Sequence, residues 1–529
     1  MTEMEEIVEE RINPAKEQNK KHDNEASNLL RAAHRSSKKN FTLTDVIPQI
    51  ITSCIIHCIT IKAGINMAYS TILLDGLESD NGNMKVTESE SSWIASLVTI
   101  TLPIGSLIAG PLMDKFGRKI VSLVSCIPAA ISWVSLIFAK SLTTIYAARI
   151  IAGIAAGLTT VGLVYISEIT HPQIRPMLLC LNSVFVSLGI LITCCLAVLL
   201  DWRQMNIIFF ALECCIFLLL FFVPESPYWL VCFQNGMLNE KQMHKMKHNL
   251  KRLNRRQTIY EEECLRIMET CKNRVTNGEA PKTIAVSIKN YFHKFTSPEA
   301  YKPLLILFAL FLLQQLSGAY VVIFYAISVF REMGGTFGKS FNEHGAFVML
   351  GIIRFIISII TVFCSRKYGR RVLCILSGIG MAISMFLSGM YMHFAVWYDE
   401  NGNTEEIASQ KWLLLFFVLS YICTSSFGFV VIPWTLIGEL LPLSIRGIGG
   451  GLVVSVAYIM MFGVVKSYPY ISKSMSIESI FFSFSFMSLT GTAFVYFFLP
   501  ETLGKSFSDI EKFFSAGARK TPDANSEQP

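Results

Sequence analysis

The sequence predicts an all-α membrane protein of twelve transmembrane helices, arranged as two pseudo-symmetric six-helix bundles with a helical loop between them. Three observations lead to this prediction: few charged residues, twelve apolar segments of membrane-spanning length, and motifs that recur once in each half. Of the 529 residues, 52% are hydrophobic and 16% are charged, whereas soluble globular chains carry roughly 25% charged residues. The deficit extends along most of the chain, which excludes a soluble protein with one buried helix.

The apolar segments are long enough to cross a membrane, since a helix needs about 20 residues to span the hydrocarbon core. Six of them precede a long polar stretch and six follow it. Numbered as spans 1 to 12, they are predicted near 46–74, 92–113, 120–139, 142–167, 176–200, 204–223, 303–330, 345–364, 372–396, 412–438, 447–466 and 479–499. The polar stretch contains a helix-like segment at 239–271, so it is expected to be partly helical.

The distribution of charge predicts the orientation in the membrane, because Lys and Arg accumulate in cytoplasmic segments. The tail up to residue 45 carries eight Lys and Arg residues, whereas the loop 75–91 carries one Lys and five acids. We therefore expect both termini and the polar stretch 224–302 to be cytoplasmic. The membrane is expected to be the plasma membrane. The predicted domains are a largely disordered cytoplasmic tail (1–45), a six-helix bundle (46–223), a cytoplasmic helical loop (224–302), a second bundle (303–499) and a cytoplasmic tail (500–529).

Several classes of site are not indicated by the sequence. Residues 1–40 are polar with no apolar run, so we expect no cleavable signal peptide and insertion through span 1. None of the fourteen cysteines falls in a predicted external loop, so no structural disulfides are expected. No metal-ligand cluster, nucleophile motif or nucleotide loop is visible. We predict no metal, no cofactor, no enzymatic activity and no nucleic-acid binding, and attribute the net charge of +7 to the basic loops.

Three motifs occur in the same order in both halves, which indicates an internal duplication. The pairs are Asp114-Lys-Phe-Gly-Arg-Lys119 with Arg366-Lys-Tyr-Gly-Arg-Arg371, Glu168…Arg175 with Glu439…Arg446, and Pro224-Glu-Ser226 with Pro500-Glu-Thr502. The offsets between partners are 252, 271 and 276 residues, so the three pairs are nearly in register. Parallel repeats of six helices are an architecture of membrane transporters.

Five motifs over roughly 46–512 resemble the sugar porter family of the major facilitator superfamily, and within it the insect facilitated trehalose transporter-like group. They are Gly110-Pro-Leu-Met-Asp-Lys-Phe-Gly-Arg-Lys119, Ala148-Arg149 with Tyr165-Ile-Ser-Glu168…Arg175, Pro224-Glu-Ser-Pro-Tyr-Trp229, Gln314-Gln-Leu-Ser-Gly318 and Pro500-Glu-Thr-Leu-Gly504. The resemblance implies the major facilitator fold and alternating-access transport of a small polar solute, such as a hexose or trehalose. It also implies membrane lipid as surroundings and function as a monomer.

The resemblance further implies an ion-pair latch at the cytoplasmic helix ends, which breaks when the two halves rock. Its candidate members are Asp114, Arg118, Arg149, Glu168 and Arg175 in the first half and Arg370, Arg371, Glu439 and Arg446 in the second. The alternative is that these charges mark the membrane edge and orient the helices. Arg366 stands where the family has an acid, which removes one expected partner.

A sugar site needs hydrogen-bonding side chains and an aromatic wall. The candidate substrate-binding residues are Gln314, Gln315, Tyr320, Tyr325, Trp434, Ser183 and Arg354, chiefly by resemblance. The alternative for the glutamines is adhesion between helices. The family's Asn, amide or Trp side chains are replaced at Ala319-Tyr320, Ser183, Arg354 and Ala457-Tyr458, and an acid found in some members is replaced by Ser426. The ring of amides is thinned, while a cation and tyrosines are added.

Charges inside spans indicate function by default. If Lys62 and Arg354 both face the cavity, they suit an anionic substrate; alternatively, each pairs with an internal acid or carbonyl, and Glu213 is a candidate for local pairing. Proton-coupled members carry an Asp in span 1 where this chain has Ser70, which favours facilitated diffusion over proton symport. A non-transporting sugar sensor on the same fold is a further alternative.

Overall fold

The computed structural model consists of helices and connecting turns, with no strand among the residues it describes. Those residues are 43–79, 86–171, 174–232, 240–276, 295–333, 342–400, 411–442, 445–503, 505, 510 and 512–514. They form two units. One contains the described residues within 1–52 and 224–281, and the other contains those within 53–223 and 282–529. Most of the predicted tails, 1–45 and 500–529, lies outside the described residues.

The helix bounds follow the apolar segments closely. In chain order the helices are Leu43–Val46 (3-10), Ile47–Ser79, Glu88–Phe116, Arg118–Ile137, Leu142–Leu158, Thr160–Ile169, Arg175–Leu199, Trp202–Leu220, Pro227–Cys232, Glu240–Leu253, Gln257–Thr276, Pro298–Leu316, Val321–Phe324, Ala326–Glu332, Glu343–Lys367, Arg370–Glu400, Lys411–Phe427, Ile432–Leu440, Arg446–Ser474 and Ile477–Phe498. Twelve of the described segments are long and apolar enough to cross a membrane. The predicted fold class and span count are confirmed.

The smaller unit is built on the predicted helical loop. Its two longer helices, Glu240–Leu253 and Gln257–Thr276, cover the helix-like stretch expected at 239–271 and extend a few residues beyond it. A small apolar core joins these helices to the short helix before them; its buried members are Trp229, Leu230, Met246, Leu250 and Ile267. Within this unit, Gln49 Nε2 donates to Asn254 Oδ1 at 2.7 Å. The hydrogen bond ties the start of span 1 to the turn between the two helices.

In the larger unit the two six-helix sets pack through symmetric contacts. Span 2 packs against span 11, and span 5 packs against span 8, so each contact is the duplicate of the other. Within the first set, small residues allow close approach of helix backbones, as is common in membranes. A Cβ on Gly105 would collide with the carbonyl of Ile154, and one on Gly157 with that of Leu102. Spans 2 and 4 can therefore touch only because these residues are glycines.

Two spans of the second set are interrupted in the middle. Span 7 breaks after Leu316, where Gly318 has a φ of 86° that other residues rarely adopt. Span 10 breaks between Phe427 and Ile432, ahead of Pro433. Non-helical backbone at membrane depth must be satisfied by other protein groups or line a cavity. These two breaks lie next to the candidate site.

Candidate functional site

A cavity lies between the two six-helix sets, with walls from spans 1, 2, 4, 5, 7, 8, 10 and 11. It is lined by polar side chains interspersed with apolar and aromatic ones. The polar and aromatic lining residues are Thr60, Thr159, Thr160, Asn182, Ser183, Ser187, Tyr320, Arg354, Ser358, Ser426, Trp434 and Tyr458. No carboxylate is among the described lining residues. A solute in this cavity would contact both halves of the molecule at once.

Several of the lining hydroxyls already donate their proton to the helix backbone. Thr60 donates to the carbonyl of His57 at 2.8 Å, and Thr159 donates to that of Ala156 at 2.6 Å. Ser358 donates to the carbonyl of Arg354 at 2.7 Å. A hydroxyl has one proton to donate, so these groups can offer a solute only their acceptor lone pairs.

A second set of lining groups keeps its hydrogen-bonding capacity. Within the described part of the chain, Asn182, Ser183 and Tyr458 make no side-chain hydrogen bond, and the buried hydroxyl of Ser426 has no partner. Tyr320 Oη accepts a hydrogen bond from Trp434 Nε1 at 3.2 Å. The phenolic proton of Tyr320 therefore remains free to donate. These groups come from spans 5, 7, 10 and 11. They surround the cavity with hydrogen-bond donors and acceptors that a solute can use.

Aromatic rings form one wall of the cavity. The ring of Trp434 lies 5.3 Å from that of Tyr458 at an angle of 45°, and 4.8 Å from that of Phe311 in an edge-to-face arrangement. These contacts and the hydrogen bond to Tyr320 fix the indole plane. A fixed aromatic face beside hydrogen-bonding groups matches a ring-shaped solute with hydroxyls at its edge.

Arg354 is the one charged side chain among the described lining residues. Its residue surface is 5% exposed, and its Nε is buried without a hydrogen-bond partner. The cavity therefore contains a positive charge with no ion-pair partner among the residues that the structure describes.

The structure places Tyr320, Trp434, Ser183 and Arg354 at the cavity, but it does not place Gln314, Gln315 or Tyr325 there. Both glutamines are fully buried. Tyr325 Oη donates to the carbonyl of Val465 at 3.1 Å and packs on Tyr468. For these three residues the expected cavity position is not observed in this conformation.

Gln314 instead donates hydrogen bonds to the backbone carbonyls at the interruption of span 10. Its Nε2 donates to the carbonyls of Phe429 at 2.8 Å and Val430 at 3.2 Å. In an unbroken helix the carbonyl of Phe429 would accept from residue 433, but that residue is Pro433 and has no N–H. Gln314 supplies the missing donor, which corresponds to the alternative prediction of adhesion between helices.

We expect Gln314→Leu to destabilise the protein by about 1–3 kcal/mol, because two buried carbonyls lose their donor. Gln315→Leu is the matched control on the adjacent residue. Its Nε2 and Oε1 have no partner among the described residues, so its loss should be neutral or stabilising. Thermal unfolding of both purified variants measures the difference. Equal losses in the two variants would contradict the role given to Gln314.

Two ion-pair clusters lie at corresponding helix ends of the two halves. In the first, Arg118 donates to Glu168 Oε1 at 2.8 Å and lies 3.6 Å from Asp114. In the second, Arg370 donates to Glu439 Oε1 at 2.9 Å. Both arginine side chains are nearly fully buried, so these pairs are more than surface markers. We call them the first and second latch clusters.

The second latch cluster includes the duplicated Pro-Glu-Thr motif. Thr502 Oγ1 donates to Glu439 Oε2 at 2.6 Å, and the carboxylate of Glu501 accepts the backbone N–H groups of Arg370 and Arg371 at 2.9 and 3.2 Å. An acid at the start of a helix is favourable because the helix dipole is positive there. The chain after span 12 thus fastens span 9 to span 10.

The remaining predicted latch residues behave differently. Arg175 donates to the carbonyl of Thr170 at 2.9 Å, Arg371 donates to the carbonyl of Tyr496, and the side chain of Arg446 lies outside the described residues. Arg366 is exposed. These contacts of Arg175 and Arg371 are hydrogen bonds to backbone carbonyls.

Arg149 does not belong to either latch cluster. Its guanidinium is fully buried and donates to the carbonyl of Ile94 at 3.2 Å, to Asn66 Oδ1 at 3.4 Å and to the hydroxyl of Ser70. It therefore joins spans 1, 2 and 4 inside the first half. Among the described residues, no carboxylate pairs with it.

Lys62 is also placed away from the cavity. Its Nζ lies 3.1 Å from Glu213 Oε1 and donates to the carbonyl and hydroxyl of Ser125 at 3.0 and 3.1 Å. The two charged side chains are 1% and 3% exposed. The alternative prediction, an internal acid as partner, is therefore the correct one for Lys62.

At the opposite end from the latch clusters, the two halves are joined by polar contacts. Arg331 of the second half pairs with Asp75 at 2.5 Å and with Glu78 at 3.4 Å. Thr71 Oγ1 donates to the carbonyl of Ile323 at 3.0 Å. These contacts hold span 7 against span 1 at that end of the molecule.

Residues 64–514 match the family model described as "Sugar (and other) transporter". The chain belongs to this sugar transporter family. The transporter is 28% identical over 450 residues to the facilitated trehalose transporter Tret1 of Bombyx mori, covering 85% of this chain and 84% of that protein. It is 26% identical over 486 residues to Tret1 of Polypedilum vanderplanki, covering 92% and 91%.

The transporter also shares its fold with solved structures of the major facilitator superfamily. The proton:xylose symporter XylE bound to 6-bromo-6-deoxy-D-glucose superimposes with a TM-score of 0.70 at 20% identity, covering 90% of this chain and 100% of that one. The inward-open xylose transporter XylE from E. coli superimposes with a TM-score of 0.65 at 19% identity, covering 87% and 98%. The resemblance stated from the motifs is confirmed.

Sequence reasoning missed Asn182 as a cavity residue of the transporter. It lies in span 5 beside the predicted Ser183, and both line the cavity. An amide inside a membrane span is the same signal that singled out Gln314 and Gln315. Applied to every span, that signal finds Asn182, although it cannot say which face of the helix the amide occupies.

Proposed function

We propose that this transporter carries a sugar, with hexoses and trehalose as the first candidates, by facilitated diffusion through alternating access. The observation that carries the proposal is the cavity between the two six-helix sets. The side chains of Asn182, Ser183, Tyr320 and Tyr458 have hydrogen-bond donors or acceptors available there, beside the fixed face of Trp434. Hydroxyl groups of a sugar would satisfy these donors and acceptors, while an apolar ring face would stack on the indole.

The contacts at the two ends of the molecule support alternating access. Arg331 and Asp75 connect the halves at one end, and the latch clusters fasten the helix ends within each half at the other. Separating the halves at the Arg331 end requires breaking a small number of polar contacts, and we propose that the latch clusters bias the equilibrium by ordering the helix ends within each half. We propose that a bound sugar supplies part of the free energy that reverses this bias.

Neutral partners of Arg149 favour facilitated diffusion over proton symport. Its guanidinium contacts Asn66 and Ser70, neither of which changes protonation in the physiological range. A proton-coupled mechanism needs a group whose protonation differs between conformations. The basic N-terminal tail and the positive-inside rule support cytoplasmic termini. We further propose that the transporter works as a monomer in the plasma membrane.

The test is uptake of a labelled sugar panel by cells that lack their own hexose carriers, with and without a protonophore. We expect saturable uptake that the protonophore leaves unchanged. Trp434→Ala should lower uptake at least about tenfold, since aromatic truncation in a packed site costs more than about 1.4 kcal/mol. Trp412→Ala, at a 58% exposed position of the same span, is the matched control. Uptake of no sugar by a protein that reaches the membrane would overturn the proposal.

A further inference from the structure

Five Lys and Arg side chains are buried among the described residues: Lys62, Arg118, Arg149, Arg354 and Arg370. Four of them have partners within the protein. Lys62, Arg118 and Arg370 each pair with a glutamate, and Arg149 donates to a carbonyl, an amide and a hydroxyl. Arg354 makes no side-chain hydrogen bond or ion pair with any described residue.

An unpaired guanidinium is costly inside a membrane, and such groups mark pathways for ions or substrates. Arg354 lines the cavity, so a solute in the cavity can neutralise its charge. The lining residues in the described part of the chain include no carboxylate to neutralise it. The site thus has a positive charge for which the described lining residues provide no counter-charge.

We propose that Arg354 binds a carboxylate of the substrate, so that the transporter prefers a sugar acid to the neutral sugar of the same ring. The proposal rests on the proposed function and names the substrate class of that same site. Neutral hexoses remain substrates of lower affinity. The sugar ring would still contact Trp434 and Tyr320.

The chemistry of the cavity favours a carboxylate over a phosphate. A guanidinium offers paired N–H donors that match the two oxygens of one carboxylate. A single positive charge balances a monoanion, whereas a phosphate ester carries between about −1.5 and −2 at neutral pH. Lys62 is unavailable as a second cation because Glu213 already neutralises it.

The same wall of the cavity provides donors for the rest of the sugar. Tyr320 has a free phenolic proton, and Trp434 is held in place by Tyr320 and Tyr458. Asn182 and Ser426 supply polar atoms without partners in the described region. Ligand hydroxyls would satisfy these groups while the carboxylate occupies Arg354. Arg354 would thus select for the carboxylate, while the other groups would bind the sugar ring of acidic and neutral sugars in the same way.

The experiment measures transport of D-glucuronate and D-glucose by the full-length protein in liposomes, for the wild type, Arg354→Gln and Arg354→Lys. We expect the wild type to favour glucuronate at least about tenfold in kcat/KM, because a bidentate charged hydrogen bond is roughly twice as strong as a neutral one. Arg354→Gln should lose that preference, so that its kcat/KM ratio for glucuronate over glucose falls to about one or below, whatever its absolute rate on glucose. Arg354→Lys should retain part of the preference.

A membrane potential provides an independent readout on the wild type alone. Carrying a monoanion moves charge, so the accumulation of glucuronate should change by about 50-fold for a potential of about 100 mV, while that of glucose should not change. Transport of glucose with no transport or inhibition by glucuronate would overturn this inference and leave the proposed function intact. Transport of neither sugar would overturn this inference, and uptake of no member of the labelled panel, trehalose included, would overturn the proposed function as well.

Discussion

Replacing Glu213 by leucine should destabilise the transporter by about 3–5 kcal/mol, because the substitution leaves the buried ammonium of Lys62 without its counter-charge. The two groups lie 3.1 Å apart and are almost completely buried between spans 1 and 6. Ser125 contributes two further acceptors to Lys62, but neither carries a negative charge. Thermal unfolding and the yield of folded protein in detergent measure the loss.

The double variant Lys62→Met with Glu213→Leu tests whether the cost arises from the unpaired charge. Replacing a whole buried pair by apolar side chains is often neutral or stabilising, so the double variant should recover most of the stability. Glu263→Gln is the control, since its pair with Arg266 has the same 3.1 Å distance but an arginine that is 44% exposed. That substitution should cost no more than about 1 kcal/mol. A double variant as unstable as the sum of its parts would refute the coupling.

The fold was predictable from the sequence because length and hydropathy determine a membrane span. The predicted spans 8 and 12, at 345–364 and 479–499, differ from the observed helices Glu343–Lys367 and Ile477–Phe498 by a few residues. The interruption of span 10 was also foreseeable, since Pro433 cannot donate to the preceding turn. The position of each interruption relative to the neighbouring helices was not predictable, because it depends on tertiary contacts such as those of Gln314.

The candidate site was predictable in part. Polar residues inside a span are visible in sequence, but the face of the helix that carries them is a tertiary property. Tyr320 and Trp434 lie at the cavity, whereas Gln315 is buried away from it. Lys62 and Arg354 look alike in sequence as cations within apolar spans. Only the packing of spans 3 and 6 against span 1 separates a neutralised lysine from an isolated arginine.

The assignment of Arg149 to a latch could have been rejected from the sequence alone. It lies 19 residues before Glu168 in the same span. At a rise of about 1.5 Å per residue, the two are separated by roughly 28 Å along the helix. Both cannot lie at one membrane edge. The contact of Arg149 with Ser70 instead assigns it to the interior of the first half.

We expect Arg370→Met to lower the rate of sugar uptake about tenfold or more. Arg370 joins the start of span 9 to Glu439 of span 10, while Glu501 and Thr502 hold the same cluster from the end of span 12. A hydrogen-bonded charge pair contributes roughly 1.5–3 kcal/mol. We propose that the pair forms in only one of the two conformations, so that its loss shifts their equilibrium by about 10-fold to 100-fold. Initial rates of uptake, normalised to protein at the membrane, measure the effect.

Arg366→Met is the matched control, because it removes the same side chain four residues earlier from an exposed position. The duplication adds a second comparison, since Arg118 occupies the corresponding place beside Glu168 and Arg118→Met should reduce uptake to a similar extent. A merely structural role would lower thermal stability in proportion to uptake. A latch role instead predicts that uptake per folded molecule at the membrane falls, in addition to any stability lost when Glu439 keeps only Thr502 as a partner. Equal uptake by Arg370→Met and Arg366→Met would exclude the second latch cluster from the transport cycle.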